Sequence, residues 1–138
     1  MKGKVFVDTN ILVYLFSKSE EAKRIKCKEL IRSYSNDHIL VWSTQIVQEF
    51  YNVMTVKLDQ QPQEAKLLLN HFREFELVTN NLEMIQQAID IQTINRLSFW
   101  DSLVISAAHA SNCEILLSED LNHNQVIQGL KVQNPFMI

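Results

Sequence analysis

Short apolar segments alternate with longer helical segments along this chain of 138 residues. Strands are predicted at residues 4–7, 39–42, 77–78 and 114–118, and Val132 is a candidate start for a last strand. Between most of them, apolar residues recur with the period of an α-helix. Strands that alternate with helices pair in parallel, which predicts an α/β sandwich built on a parallel sheet.

Polar residues and one proline mark the predicted helix starts. A short helix is expected over residues 10–16, and Ser19 is the predicted N-cap of a second helix. That second helix should end near Tyr34, before a turn at residues 35–37. The later helices should begin at N-caps or at a proline in the first turn: Ser43 or Thr44, Pro62, Asn81 and Ser98.

The helix that begins after Ser98 is apolar almost all round, so it should be buried. Trp42, Phe99 and Trp100 are expected in the core. Trp100 is nevertheless close enough to Asp101 to shape the mouth of a site formed there.

Composition predicts a single globular, soluble domain over residues 1–138. Hydrophobic residues make up 46% and charged residues 21%, and two Gly and two Pro leave little room for linkers. No apolar run has the length of a membrane span, and no secretory leader precedes Asp8, so we expect a cytoplasmic protein without a membrane partner. Cys27 and Cys113 lack metal-binding spacing and are expected to be reduced thiols.

The net charge is −3, but the basic residues are concentrated near the N-terminus. Five of them lie within residues 23–32, on the second predicted helix: Lys23, Arg24, Lys26, Lys28 and Arg32. Such a cluster is a candidate contact for the phosphate backbone of a nucleic acid. A solvated helix face is the alternative interpretation.

Asp8 is placed where the first predicted strand ends, and an apolar helix resumes after Asp8-Thr9-Asn10. Open α/β sheets bind their ligands at the carboxyl ends of strands, so this carboxylate is a candidate site residue. An Asx-turn or a helix N-cap is the alternative role for Asp8.

Three further carboxylates occupy positions that are unusual for surface residues. Glu49 borders the apolar stripe of a predicted helix, where a salt bridge is the alternative to a site role. Asp101 lies in the first turn of the apolar helix, where capping and metal binding are compatible. Asp120 follows the strand that ends at Ser118 and shares its side, whereas Glu119 points the other way.

Four carboxylates that meet repel one another, and a divalent cation is the usual remedy. The sequence has no zinc spacing of histidines, Gly-rich phosphate loop or Gly-x-Ser-x-Gly motif. A phosphatase that used Asp8 as its nucleophile would want a second acid two residues later. Asn10 occupies that position and argues against such chemistry.

These segments, in this order, resemble the PIN domain family and, within it, the VapC-like toxins of prokaryotic toxin–antitoxin pairs. The matching stretches are VFVDTNIL at residues 5–12, QEF at 48–50, LSFWDSL at 97–103, LSEDL at 117–121 and NPF at 134–136. The resemblance implies a three-layer α/β/α sandwich around a parallel sheet. It also implies a catalytic site of Asp8, Glu49, Asp101 and Asp120 that binds Mg²⁺ or Mn²⁺, with Asn10 and Ser118 in support.

The same resemblance implies an endoribonuclease for single-stranded RNA whose partner is a cognate antitoxin. A homodimer is also expected. Apolar residues around Phe16, Leu30 and Phe50 are candidates for a dimer face or an antitoxin groove, and the core is the alternative place for them. Two alternatives remain: a PIN nuclease of RNA processing that is not toxic, and a non-catalytic, metal-bound module that binds RNA or protein.

Overall fold

A six-stranded sheet forms the centre of the molecule in a computed structural model that describes residues 2–138. Its strands are β1 (Gly3–Val7), β2 (His38–Ser43), β3 (Glu76–Val78), β4 (Ile115–Leu117), β5 (Val126–Ile127) and β6 (Leu130–Gln133). Their order is β3-β2-β1-β4-β6-β5, and every neighbouring pair is parallel except β5 with β6. The predicted parallel sheet is therefore confirmed, with one antiparallel hairpin at its edge.

Helices flank this sheet in the predicted α/β/α arrangement. They are α1 (Thr9–Tyr14), α2 (Glu21–Asp37), α3 (Thr44–Val56), α4 (Pro62–Leu68), α5 (Leu82–Asn95) and α6 (Phe99–Ala110). Short 3₁₀ turns cover Leu69–Phe72 and Pro135–Met137. Helix α5 packs against α6, whereas α1 packs against both α2 and α3. Within residues 2–138, no helix combines the length and apolar character needed to cross a bilayer.

Three of the predicted N-caps are confirmed by hydrogen bonds. The side chains of Ser43, Asn81 and Ser98 each accept a hydrogen bond from a backbone N–H three residues later, at the starts of α3, α5 and α6. Pro62 occupies the first turn of α4, as expected. Each of these helix starts is thus specified by its own local sequence.

The predicted limits of α2 are wrong at both ends. Glu20 is the N-cap and makes no side-chain cap, while the hydroxyl of Ser19 lies 3.5 Å from that of Ser17. The helix also continues through the predicted turn at residues 35–37, and the N–H of His38 bonds to the carbonyl of Tyr34. Strand β2 begins at His38, so the sheet, rather than the local turn signal, determines where α2 ends.

The core lies on the two faces of β1 and its neighbours. Phe50, which was a candidate for a dimer face, is fully buried and packs edge-on against Phe16 and Phe72. Of the alternatives left open for Phe50, the core is therefore the one that the structure shows, because the side chain packs within the aromatic cluster. Trp42 is buried as predicted, but the prediction for Trp100 is wrong, since 61% of its surface is exposed.

Candidate metal centre

The sheet topology brings two distant carboxylates together. The chain runs from β1 outward to β3 and then returns to place β4 on the other side of β1. This reversal is the kind of topological switch point at which open α/β sheets bind ligands, beyond the carboxyl ends of the strands. Asp8 follows β1 there, and its N–H bonds to the carbonyl of Leu117 at the end of β4. Asp120 follows β4 on the same edge.

Asp8 is the most buried of the four carboxylates, with 8% of its surface exposed. Its Oδ1 accepts a hydrogen bond from the N–H of Thr9 at 2.8 Å, and its Oδ2 accepts one from the hydroxyl of Ser118 at 2.9 Å. The first bond makes Asp8 the N-cap of α1, so the capping alternative is realised together with a place in the cleft. Burial raises the pKa of Asp8 to about 7, against hydrogen bonds that lower it.

Glu49 lies on α3 and faces α1. Its Oε1 accepts a hydrogen bond from the hydroxyl of Thr9 at 2.9 Å. The salt bridge that was the alternative role for Glu49 does not form with any Lys or Arg of residues 2–138. Thr9 therefore links Glu49 to Asp8, because its backbone bonds to one carboxylate and its side chain to the other.

Asp101 combines a capping position with a place in the cleft. Its N–H donates to the hydroxyl of Ser98 at 3.0 Å, which is the first half of a capping box. The carboxylate of Asp101 lines the same cleft as Asp8 and Asp120. Partial burial raises the pKa of Asp120, and the charge of Asp101 adds to that effect, so the two carboxylates interact.

The structure distinguishes Asp120 from its neighbour Glu119. Asp120 lines the cleft, its N–H bonds to the hydroxyl of Ser118, and its Oδ2 accepts a hydrogen bond from the amide of Asn10 at 3.3 Å. Glu119 points away and accepts bonds of 2.7 Å from both Tyr14 and Lys23. Ser118 and Asn10 thus contact the carboxylates of the cleft.

The ion pair with Glu119 changes the interpretation of Lys23. Burial opposes the ionisation of Glu119, but hydrogen bonds from Lys23 and Tyr14 outweigh it and lower the pKa of the acid. The ammonium group of Lys23 therefore pairs with Glu119, although 35% of the Lys23 side chain stays exposed. Arg24, Lys26, Lys28 and Arg32 also lie on α2, and none of them lines the cleft.

The four predicted carboxylates line one cleft of about 280 Å³. Three cavities elsewhere are larger, at about 400, 580 and 630 Å³, but none of them contains any of these four residues. Across residues 2–138, no three acidic, His or Cys side chains are close enough to hold one ion together. Mg²⁺ keeps several of its own waters when it is bound, so one or two carboxylates are enough to bind it directly.

The donor set nevertheless fits a divalent cation. Carboxylate oxygens are the ligands that Mg²⁺ and Mn²⁺ prefer. No Lys, Arg or His in the described part of the chain forms an ion pair with any of the four carboxylates. Because a charge at a buried position is costly unless it is paired or bound to a metal, their uncompensated charge favours a cation in the cleft.

The cleft also contains residues that the sequence did not point to. Thr9 bridges two carboxylates, and Gln45 and Lys57 line the walls. Trp100, which the sequence placed at the mouth of a site formed by Asp101, also lines the cleft. A signal existed for Gln45, which lies one helical turn before Glu49 and so shares its face of α3. Nothing in the local sequence distinguishes Lys57 from the other basic residues.

Comparisons with known proteins agree with this geometry. A family model described as PIN domain matches residues 5–127. A toxin–antitoxin complex from Klebsiella pneumoniae is similar in structure, with a TM-score of 0.72, 20% identity, and 95% of this chain and 97% of that chain covered. VapBC2 from Rickettsia felis, bound to a DNA fragment from its promoter, gives a TM-score of 0.71 at 16% identity, covering 95% and 98% of the two chains.

VapC20 from Mycobacterium tuberculosis, a toxin that cleaves the sarcin–ricin loop, gives a TM-score of 0.69 at 15% identity, with 84% of this chain and 91% of that chain covered. A comparison with curated protein sequences gives no significant match. The structural similarities show the fold, and the family model extends over most of the sequence, including Asp8, Glu49, Asp101 and Asp120. This chain belongs to the PIN domain family.

Proposed function

We propose that this protein is an endoribonuclease that hydrolyses single-stranded RNA with Mg²⁺ or Mn²⁺ and acts as the toxin of a type II toxin–antitoxin pair. One observation carries the proposal. Four carboxylates from four separate segments line one cleft at the switch point of the sheet, and no Lys, Arg or His of residues 2–138 forms an ion pair with them. Such a cleft attracts a divalent cation and would repel RNA without one.

In this proposal Asp8, Glu49, Asp101 and Asp120 hold the cation. When bound, the cation supplies positive charge that polarises a phosphodiester and makes water a better nucleophile. The protein contributes orientation, because Ser118 and the N–H of Thr9 each hold one oxygen of Asp8. Metal-assisted hydrolysis also agrees with the absence of a histidine from the cleft lining.

Asn10 and Ser118 act on the ligands rather than on RNA. The amide of Asn10 restrains Asp120 through its hydrogen bond, and the hydroxyl of Ser118 contacts both Asp8 and the N–H of Asp120. These contacts join Asp8 and the start of α1 to the segment after β4, so they fix the positions of Asp8 and Asp120 relative to each other. Carboxylates held in this way lose less entropy when they bind a cation.

The role as a toxin is supported by the similar structures, one of which is a toxin–antitoxin complex. Under the proposal, this chain binds a cognate antitoxin, forms a homodimer and acts on RNA in the cytoplasm. Arg24, Lys26, Lys28 and Arg32 remain candidate contacts for the RNA backbone, at a distance from the cleft.

The direct test is cleavage of total cellular RNA by the purified protein in Mg²⁺ or Mn²⁺, with and without EDTA. EDTA, Asp8→Asn and Asp101→Asn should each abolish most cleavage, whereas Asp90→Asn, at an exposed position on α5, should not. Cleavage that persists in EDTA or in both site variants would contradict the proposal. Binding of RNA without cleavage, undiminished in Asp101→Asn, would instead support the non-catalytic module.

A second experiment separates a toxin from a nuclease of RNA processing. Induced expression in bacteria should arrest growth, and co-expression of a small protein from the adjacent reading frame should relieve the arrest. Cleavage in vitro without growth arrest would favour the processing enzyme.

A further inference from the structure

Trp100 presents an unusually exposed indole beside the candidate metal centre. It lies in the first turn of α6, immediately before Asp101, and 61% of its surface is exposed. Its ring contacts Phe99 edge-on, with ring centroids 5.1 Å apart, and it lines the cleft. A large aromatic surface left open next to a polar site is typical of a contact surface rather than of packing.

Gln45 shares this wall of the cleft and has an unsatisfied acceptor. Only 5% of the residue is exposed, and its amide Nε2 donates to the carbonyl of Trp100 at 3.2 Å. Because a carbonyl can only accept, the NH₂ end of the amide must face Trp100. Within residues 2–138 the Oε1 of Gln45 is buried and has no hydrogen-bond partner. Buried polar atoms are nearly always paired, so this oxygen can accept a hydrogen bond from a donor outside the chain, such as a water molecule or a ligand.

Lys57 supplies a positive charge to the same cleft. It follows the C-terminus of α3 and is exposed, and no carboxylate of residues 2–138 lies within ion-pair distance of its ammonium group. An aromatic surface, a hydrogen-bond acceptor and a cation are the three groups that a nucleotide needs for its base, its polar edge and its phosphate.

We infer that Trp100, Gln45 and Lys57 form a nucleotide subsite beside the carboxylates, with the base stacked on the indole. The Oε1 of Gln45 accepts a hydrogen bond from the bound nucleotide, and Lys57 contacts a phosphate. This inference rests on the proposed function and names the groups that would recognise single-stranded RNA. Bases in a duplex are already stacked on their neighbours, so a stacking surface selects for single strands.

The polarity of the cleft favours RNA over a protein as the occupant of this wall. An apolar protein surface that covered Trp100 would also cover the carboxylates of the cleft and desolvate them. A nucleotide places its apolar face on the indole while its phosphate reaches Lys57 and the cation.

The test measures the binding of a short 2′-O-methyl oligoadenylate in Mg²⁺ through the intrinsic tryptophan fluorescence of the protein. Of the two tryptophans in the chain, Trp42 is 6% exposed, so quenching by the oligonucleotide should come from Trp100 and vanish in Trp100→Phe. Fluorescence anisotropy of a labelled oligonucleotide should show roughly 5-fold or greater loss of affinity in Trp100→Ala and little loss in Trp100→Phe. Ile94→Ala, at a 71% exposed position on α5, is the matched control and should bind as the wild type does.

An abasic oligonucleotide of the same length separates stacking from charge. The wild type should bind it as weakly as Trp100→Ala does, and Gln45→Met should weaken binding only of the oligonucleotide with bases. Lys57→Ala should weaken binding of both and reduce the salt dependence by about one phosphate contact.

The inference would be overturned if the wild type and Trp100→Ala bound both oligonucleotides with equal affinity. If the wild type still cleaved RNA, the proposed function would stay intact in that case. A change in oligomeric state of Trp100→Ala with unchanged RNA affinity would also overturn it and assign the indole to a protein interface. A wild type that neither binds nor cleaves RNA would remove both the proposed function and the inference.

Discussion

Replacement of Asp8 by Asn should stabilise the cation-free protein, and the gain should grow with pH. Burial raises the pKa of Asp8 from its ordinary value of 3.8 to about 7. Hydrogen bonds from Thr9 and Ser118 oppose this rise, and the charges of Glu49 and Asp120 add to it. The folded protein therefore holds a carboxylate in surroundings that favour its neutral form.

The sign of the pH dependence follows from these two pKa values. Between them, the folded state keeps a proton on Asp8 that the unfolded state has lost, so the free energy of unfolding falls as the pH rises. Above about pH 7 both states are ionised, and the native carboxylate costs about 4 kcal/mol relative to a neutral group. Because Asn cannot ionise, its advantage should increase by about 2 to 3 kcal/mol between about pH 5 and about pH 8.

Urea unfolding in EDTA, followed by circular dichroism at both pH values, measures this difference. Asp90→Asn is the control, because its exposed side chain should leave the pH dependence of stability close to that of the wild type. Added Mg²⁺ should then stabilise the wild type near pH 8 but not Asp8→Asn, since a cation that binds the folded state adds stability by mass action. Identical pH dependence in the wild type and Asp8→Asn would refute the claim that burial disfavours the ionised Asp8.

Three further predictions concern other parts of the molecule. Asp120→Asn should abolish most RNA cleavage. Glu119→Gln should keep it, because the amide oxygen can still accept from Lys23 and Tyr14, and should lose about 1 kcal/mol of stability or less, as gel assays and urea unfolding would show. Cys27 and Cys113 should react with iodoacetamide only after unfolding, because burial raises their thiol pKa values to about 12 and about 11; rapid labelling of the native protein in a mass-spectrometric time course would contradict this. Phe50→Ala should cost about 3 to 5 kcal/mol, measured as a lower urea midpoint, and a loss below about 1 kcal/mol would argue against its place in the aromatic core.

The parts of the site that depend on local signals were predictable from the sequence. An acid directly after an apolar strand indicated Asp8, and the period of two along a strand placed Ser118 and Asp120 on one side with Glu119 on the other. The structure places Asp120 in the cleft and Glu119 outside it. Ser98 could likewise be predicted as a helix cap, because it bonds to a backbone N–H only three residues away.

Features that depend on distant partners could not be predicted in the same way. Lys23 belongs to a basic cluster, and only the folded chain shows that it alone meets Glu119, 96 residues away. Trp100 was assigned to the core because tryptophan is usually buried, yet the first turn of α6 lies at the cleft. The β5–β6 hairpin was missed because its turn uses Gln128 and Gly129, both with positive φ, instead of the usual Asn-Gly pair.

The adjacent acids Glu119 and Asp120 show how distant segments determine a local geometry. Glu119 is fixed from two sides, since Lys23 and Tyr14 bond to its carboxylate and the amide of Asn134 bonds to its carbonyl. The ring of Phe136, two residues further along, lies 5.0 Å from the Lys23 ammonium group. With Glu119 held on this side, the alternation of the chain directs Asp120 into the cleft. Helix α2 and the C-terminal NPF segment therefore orient a carboxylate of the candidate metal centre without either of them entering it.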